Sequence, residues 1–297
     1  MEIINLIDSA QLKSKIAALT QADLSKVAYP KILNEITSIG GIPLTTTTIN
    51  SGQLISRARF NRNGEIFTSE DQISYRNDLM NITEFGRANV HYHSVFYGAI
   101  DYPDDKFHYV TPIYELKFNH LLPKDLTVGL ITVGFWQVVS PIEVLNIVFN
   151  DELSIKDQRL REDIESYLNI YRKDYPDRIE DLEYLLKFIS KEFFRDIKRD
   201  SDYKISAAYS AYCMNRGIPG IIYPSKATEG NGINIALSHN IVESHLSLKS
   251  VVLLEMEKES ETSFILRPIA NAQEFGFLNS EFKYYPIEPK VRPTIMR

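Results

Sequence analysis

GIPGIIYPSKATEGNGINIAL, residues 217–237, sets two apolar runs on either side of a loop of small and polar residues. Ile218 to Tyr223 has the length and apolar character of a buried strand, and it stops at Pro224 and Ser225, where proline cannot extend a hydrogen-bonded ladder. Lys226 to Gly232 is rich in turn-forming residues, and Ile233 to Leu237 starts a second strand. Just upstream, Ser206 is the predicted N-cap of a helix running through Arg216, with Gly217 at its C′ position. A helix, a strand, a loop and a strand thus follow one another without the regular βαβ beat of a doubly wound sheet. The expected class is α+β.

Working outward gives the same mixture. Leu248 to Met256 and Ser263 to Pro268 read as strands that finish the chain's sheet. Residues 151–200 are different. Ile155 to Arg172 suits one helix, Tyr175 and Pro176 interrupt it, and Leu182, Leu185, Leu186, Ile189, Phe193 and Ile197 form the apolar stripe of a second. This is an expected helical hairpin inserted between sheet segments. Nearer the start, Leu54 to Phe60, Ser94 to Ile100, Tyr109 to Phe118 and Leu126 to Val139 read as strands, the last as one strand or two. Residues 6–38 carry Leu12, Ile16, Leu19, Leu24, Val27 and Ile32 at roughly helical spacing, until Gly40, Gly41 and Pro43 stop the pattern and the β-branched run Thr45 to Thr48 follows. The expected organisation is an N-terminal helical extension over 1–45 and one larger domain over 46–297.

Composition narrows the classes of function. The chain has 297 residues, a formal net charge of −6 and 24% charged residues, so a broad cationic surface for nucleic acid is not expected. Cys213 stands alone, which excludes an internal disulfide and a cysteine-based zinc site. The opening MEIINLIDSAQLKSK lacks the form of a signal peptide, and no apolar run is long enough to span a bilayer. A soluble, cytoplasmic protein is the expectation. There is no P-loop and no Gly-x-Gly-x-x-Gly. His91 and His93, if on a strand, would share a face, but no third ligand has a matching spacing, so no metal is expected.

Several short stretches can carry chemistry. Arg57 and Arg59 alternate on one side of a strand. Arg87 follows Gly86 in a loop that continues to Asn89, and a guanidinium there can present its planar fork to a phosphate. Tyr97 ends an apolar run and offers a ring face or a hydroxyl. Glu115 interrupts the apolar Ile113-Tyr114-Glu115-Leu116, where a carboxylate is costly unless partnered. Ser225 closes the strand carrying Tyr223, and Asn234 stands on the next one. No Gly-x-Ser-x-Gly elbow surrounds Ser225, so a serine hydrolase is not indicated.

In order, Ser56-Arg57-Ala58-Arg59, Gly86-Arg87-Ala88-Asn89, Val95-Phe96-Tyr97-Gly98, Tyr114-Glu115-Leu116 and Tyr223-Pro224-Ser225 with Gly232-Ile233-Asn234 resemble the RES domain, named for its arginine, glutamate and serine, over about residues 54–255. The resemblance implies an ADP-ribosyltransferase-like mixed sheet and an enzyme that cleaves the nicotinamide–ribose bond of NAD⁺. That makes it a glycohydrolase or phosphorylase, acting as a toxin that depletes NAD⁺. It also implies a cognate antitoxin and a homodimer. NAD⁺ is then substrate, with no cofactor. On this reading Arg57, Arg87, Glu115 and Ser225 are catalytic, and Arg59, Asn89, Tyr97, Tyr223 and Asn234 bind NAD⁺. Protein ADP-ribosylation and a non-catalytic binding module are the alternatives. Two departures stand out: Val90-His91-Tyr92-His93 where the family often has proline and glycine, and the added helices at 1–45 and 151–200.

Overall fold

The computed structural model describes residues 6–101, 110–116, 127–260, 263–273, 281–288 and 294–296. Among them, eight helices and eleven strands form a mixed α+β structure around one large sheet. The strands are β1 (Thr46–Ile49), β2 (Leu54–Asn61), β3 (Val95–Asp101), β4 (Val128–Val138), β5 (Ile142–Asn146), β6 (Gly220–Pro224), β7 (Ile233–Ser238), β8 (Leu246–Lys258), β9 (Phe264–Gln273), β10 (Tyr285–Pro286) and β11 (Thr294–Met296). Their order is β1-β5-β6-β7-β3-β2-β4-β8-β9-β10, with β11 also pairing β9.

One joint in that order positions everything that follows. β2 pairs β4 along its whole length, from Leu54↔Gln137 to Asn61↔Leu130. Its pairing with β3 covers only Leu54↔Asp101, Ile55↔Ile100 and Ser56↔Ala99. Beyond Ser56 the two strands part, so the sheet splits into a β1-β5-β6-β7-β3 half and a β2-β4-β8-β9-β10 half. One apolar cluster takes Phe96, Val144, Ile222 and Leu237 from the first half and Ile55, Trp136, Val251 and Ala272 from the second. The halves are therefore held by a shared core on one side of the joint and open on the other.

The helices are α1 (Ser9–Gln21), α2 (Tyr29–Thr37), α3 (Thr111–Tyr114), α4 (Asp151–Lys156), α5 (Gln158–Asp174), α6 (Ile179–Phe194), α7 (Lys204–Met214) and α8 (His239–His245). The expected single helical span over 6–38 is two helices. At the break, Ser25 donates from its backbone N–H and its hydroxyl to Asp23 Oδ1, at 3.2 and 2.6 Å, a local turn that competes with the helix. Pro30 then suits the first turn of α2. The expected helix from Ile155 is likewise two, because Asp157 accepts from Leu160 N at 3.2 Å and caps a fresh start. Ser206 does not cap: α7 begins at Lys204, and the Ser206 hydroxyl donates to Tyr203 O at 3.0 Å from inside the helix. Gly217 ends that segment at φ +87° as expected. The expected strand at Leu126 is one strand, β4, irregular between Phe135 and Trp136.

The helices at 151–200 are more than an addition. β5 and β6 are parallel neighbours, Leu145↔Ile221 and Asn146↔Ile222, and a parallel pair needs a long crossover. Helices α4 to α7 are that crossover. Their buried face, with Leu182, Leu185, Ile189, Phe193 and Tyr209, packs with Ile221, Tyr223 and Ala236 of the sheet. Leu12, Ile16, Ile32 and Ile36 of the N-terminal helices join the same cluster. Tyr212 Oη donates to Gly40 O at 2.7 Å, and Lys204 Nζ donates to Leu24 O and Val27 O, each at 2.7 Å. Residues 6–45 thus share one core with the larger domain. No helix among the described residues is long and apolar enough to cross a membrane.

Candidate active site

The split between β2 and β3 opens into a cleft of about 960 Å³. That is the upper end of the size range for small-molecule sites. Arg57 and Arg59 line its β2 lip, Tyr97 its β3 lip, and Tyr223 and Asn234 its floor on β6 and β7. Glu115 and Arg87 enter from α3 and from the loop before β3. Asn89 and Ser225 sit one layer back.

Arg57 sits where the strands separate. Its Nε donates to Ile73 O at 3.1 Å and its Nη1 to Tyr97 O at 2.6 Å, while its guanidinium carbon lies 5.3 Å from the Phe96 ring centroid. A side chain thus supplies a partner to a carbonyl of β3 that β2 no longer pairs. Arg59, two residues on and on the same side as expected, donates to Gln72 O and lies 5.5 Å from the Phe67 ring. Burial, and then Arg59 beside it, pulls the Arg57 pKa down to about 9. Burial, and then Arg76, lowers that of Arg59. Neither arginine has a carboxylate partner among the described residues. Both are desolvated cations held by neutral carbonyls, an arrangement that an anionic ligand stabilises.

Arg87 is held from the crossover. Its Nη2 donates to Arg195 O, just past the C-terminus of α6, at 3.2 Å, and its guanidinium lies 5.4 Å from the Tyr203 ring. Its Nη1 is buried and has no partner among the described residues. Behind it, Glu192 accepts from Arg195 Nη1 at 2.8 Å, and burial raises the Glu192 pKa although Arg195 lowers it. Tyr97 Oη accepts from Ala88 N at 2.8 Å and donates to Asn89 Oδ1 at 2.9 Å, which locks the Gly86–Asn89 loop against β3. Gly86 is required there: a Cβ would stand 2.2 Å from Asn89 Oδ1 and 2.8 Å from Tyr97 Oη. Asn89 therefore shapes the loop beneath the tyrosine. Burial pushes the Tyr97 and Tyr223 hydroxyls above their usual range, so both stay protonated donors.

Glu115 is not on a strand. The described part of the expected strand Tyr109–Phe118, residues 110–116, makes the single helical turn α3, and the rest lies outside the described residues. Pro112 explains the difference: it lacks an N–H for a ladder and suits a helix's first turn. Glu115 caps that turn, with its N–H on Thr111 O at 3.2 Å. Its Oε1 accepts from Ser225 Oγ at 2.7 Å and from Asn234 Nδ2 at 2.6 Å. Its Oε2 has no hydrogen-bond partner among the described residues. Ser225 is fully buried and does not line the cleft. Its hydroxyl is committed to the carboxylate, so it positions Glu115 and does not reach a ligand. The turn can approach this closely because Gly232 has no side chain: a Cβ there would fall 2.0 Å from Thr111 Oγ1.

The His91-Tyr92-His93 segment forms a turn with Tyr92 at φ +62°, so the two imidazoles do not share a strand face. His91 lies tilted against Phe85 with centroids 4.1 Å apart, and none of residues 90–93 lines the cleft. No group of three or more metal-ligating residues occurs among the described residues, and His108 and His120 lie outside them. Sequence reasoning missed Tyr203, Gln72 and the bidentate pair of Arg76 with Asp78, at 2.9 and 2.7 Å. Nothing in their local sequence distinguishes them from an ordinary solvated face.

No protein-family model matches the chain, and no curated protein matches it.

Proposed function

We propose that this protein is an NAD⁺-consuming enzyme of the RES type, with an ADP-ribosyltransferase-like split sheet, that cleaves the nicotinamide–ribose bond. The supporting observation is convergence. Arg57, Arg87, Tyr97, Glu115 and Asn234 come from separated motifs, yet they border a single cleft of dinucleotide size. Their chemistry divides it. The guanidiniums of Arg57, Arg59 and Arg87, none of them in an ion pair among the described residues, suit a pyrophosphate, which takes paired N–H donors. The Glu115 carboxylate, held through Oε1 and with no hydrogen-bond partner for Oε2 among the described residues, suits the ribose.

Bond cleavage sends the electron pair of the C1′–N bond to nicotinamide, which leaves neutral, and develops positive charge on the ribose. A carboxylate fixed beside that carbon stabilises the charge without reorganising. Ser225 and Asn234 keep Glu115 in place, and Tyr97 and Tyr223 offer ring faces to the base. The acceptor, be it water, phosphate or a protein side chain, then bonds to C1′ and releases its proton.

The test is to incubate purified protein with NAD⁺, with and without phosphate, and to separate the products by chromatography. Nicotinamide release is the expected outcome. ADP-ribose identifies water as acceptor, ADP-ribose 1-phosphate identifies phosphate, and label retained on protein identifies transfer. Folded protein that releases no nicotinamide under any of these conditions, nor when a cell lysate is added as a source of protein acceptors, overturns the reading in favour of a binding module.

A further inference from the structure

The crossover sends one side chain into the cleft that none of the RES-like motifs contains. Tyr203 ends the short turn Asp200–Tyr203 and stands at the N-cap of α7. It borders the cleft together with Arg87, Tyr97 and Tyr223. Its place is fixed from behind. Asp202 Oδ2 accepts from Lys198 N at 3.1 Å and from Arg199 N at 3.0 Å, which closes the turn, and the Tyr203 carbonyl accepts from Ser206 Oγ at 3.0 Å.

The ring and the hydroxyl of Tyr203 have different surroundings. The guanidinium carbon of Arg87 lies 5.4 Å from the ring centroid, so the ring is a shelf for that cation. The hydroxyl has no hydrogen-bond partner among the described residues, and it is not among the enclosed polar atoms. The Tyr223 hydroxyl is in the same state. Tyr97 differs, because its hydroxyl is committed to Ala88 N and Asn89 Oδ1. Tyr97 and Tyr223 each lie close enough to Tyr203 and Arg87 for their charges to interact. A guanidinium and two free hydroxyls thus meet at one end of the cleft. Glu115 is the carboxylate beside Tyr223 there. The other acids that border the cleft, Glu65, Asp71 and Asp78, come from the segment that follows β2. Donors therefore dominate around Arg87, and a phosphate oxygen is the acceptor that uses a cation and neutral hydroxyls together.

We infer that Tyr203 is a further substrate-binding residue, whose hydroxyl donates to the phosphate oxygen that Arg87 binds. The inference rests on the dinucleotide reading of the cleft and adds to it a contact from outside the motifs. The shelf keeps the guanidinium beside the hydroxyl, so the two approach one phosphate from the loop before β3 and from the start of α7. The ligand class is a nucleoside diphosphate group.

The experiment is isothermal titration of the full chain with ADP-ribose, alongside urea denaturation and nicotinamide release from NAD⁺. Wild type, Tyr203→Phe, Arg87→Lys and the double variant are compared. Tyr203→Phe keeps the shelf and removes an oxygen that the fold does not use, so its urea midpoint stays at the wild-type value. Arg87→Lys keeps the charge and loses the fork. Expected is ADP-ribose binding weakened about tenfold in Tyr203→Phe, the worth of one hydrogen bond to a charged group. The same substitution is expected to cost less when Lys already stands at 87, because the two side chains share a phosphate. The inference is overturned if Tyr203→Phe binds as tightly as wild type, if its loss comes with a lowered urea midpoint, or if the loss is undiminished in the Arg87→Lys background. Wild-type protein that does not bind ADP-ribose overturns it as well. The expected binding pattern without nicotinamide release in wild type removes the cleavage reading and leaves Tyr203 as a ligand contact.

Discussion

Replacing Gly232 by alanine adds one methyl group and tests how the carboxylate is held. The new Cβ falls 2.0 Å from Thr111 Oγ1, 2.8 Å from Thr111 Cγ2 and 2.9 Å from Thr111 Cβ. Non-bonded carbons settle at about 3.5–4.0 Å, so α3 and the 225–232 loop must move apart by roughly 1 Å. Glu115 caps α3, and its Oε1 is held at 2.7 Å by Ser225 and 2.6 Å by Asn234. A shift of that size stretches both bonds beyond the usual donor–acceptor range. Overpacking of this kind costs about 1–3 kcal/mol. Misplacement of a reacting group by about 1 Å costs about a hundredfold in rate. Urea denaturation and nicotinamide release measure the two effects. Thr111→Ala added to Gly232→Ala removes the two side-chain atoms beyond Cβ and is expected to recover part of both losses, a coupling that a double-mutant cycle reads directly. Gly232→Ala protein with unchanged stability and unchanged release refutes the claim that this contact sets the carboxylate.

Further expectations follow from the same geometry. Arg57→Met loses two hydrogen bonds to carbonyls but relieves a desolvated cation, so stability should move by less than about 2 kcal/mol while ADP-ribose affinity falls at least about tenfold by calorimetry. Larger destabilisation with intact affinity would make Arg57 a purely structural clamp. Cys213 is fully buried, and burial pushes its thiol up to about 12. The unfolded thiol ionises near 9, so this group's contribution to stability is whole below that pH and fades as pH rises from 9 to 12. Iodoacetamide at pH 9 should leave the native protein unlabelled and label it in urea; rapid native labelling contradicts the burial. Ser225→Ala should lower kcat and leave KM for NAD⁺ nearly unchanged, since the hydroxyl touches Glu115 and not the cleft. A rise in KM alone would place Ser225 on the substrate.

The strands were legible where apolar runs met strong stops. Leu54–Phe60, Ile218–Tyr223 and Ile233–Leu237 sit within a residue or two of β2, β6 and β7. What alternation could not show was where strands part. The three-residue pairing of β2 with β3 is a tertiary fact, and it converts Arg57 from a strand residue into a bridge. Glu115 was found by residue type and misplaced by element, because the apolar run around it hid the meaning of Pro112. β5 was missed: Ile142–Asn146 is five residues long, and it pairs with segments nearly a hundred residues earlier and about eighty later. Without it, 151–200 read as an insert and not as the crossover that a parallel pair requires. Ser225 was recognised by its place after Tyr223 and Pro224, yet its role rests on a bond to a residue 110 positions away.

The most direct test of the central claim is Glu115→Gln, an isosteric change that removes the charge and keeps a partner for Ser225. Nicotinamide release is compared with wild type, alongside ADP-ribose affinity and the circular dichroism spectrum. Retained fold and affinity with release reduced about a hundredfold or more is the expected result, because on the proposed reading the charge that faces the ribose is gone while the cleft is intact. Wild-type rates of release from folded Glu115→Gln protein would contradict the assignment of Glu115, and with it the proposed chemistry of the cleft.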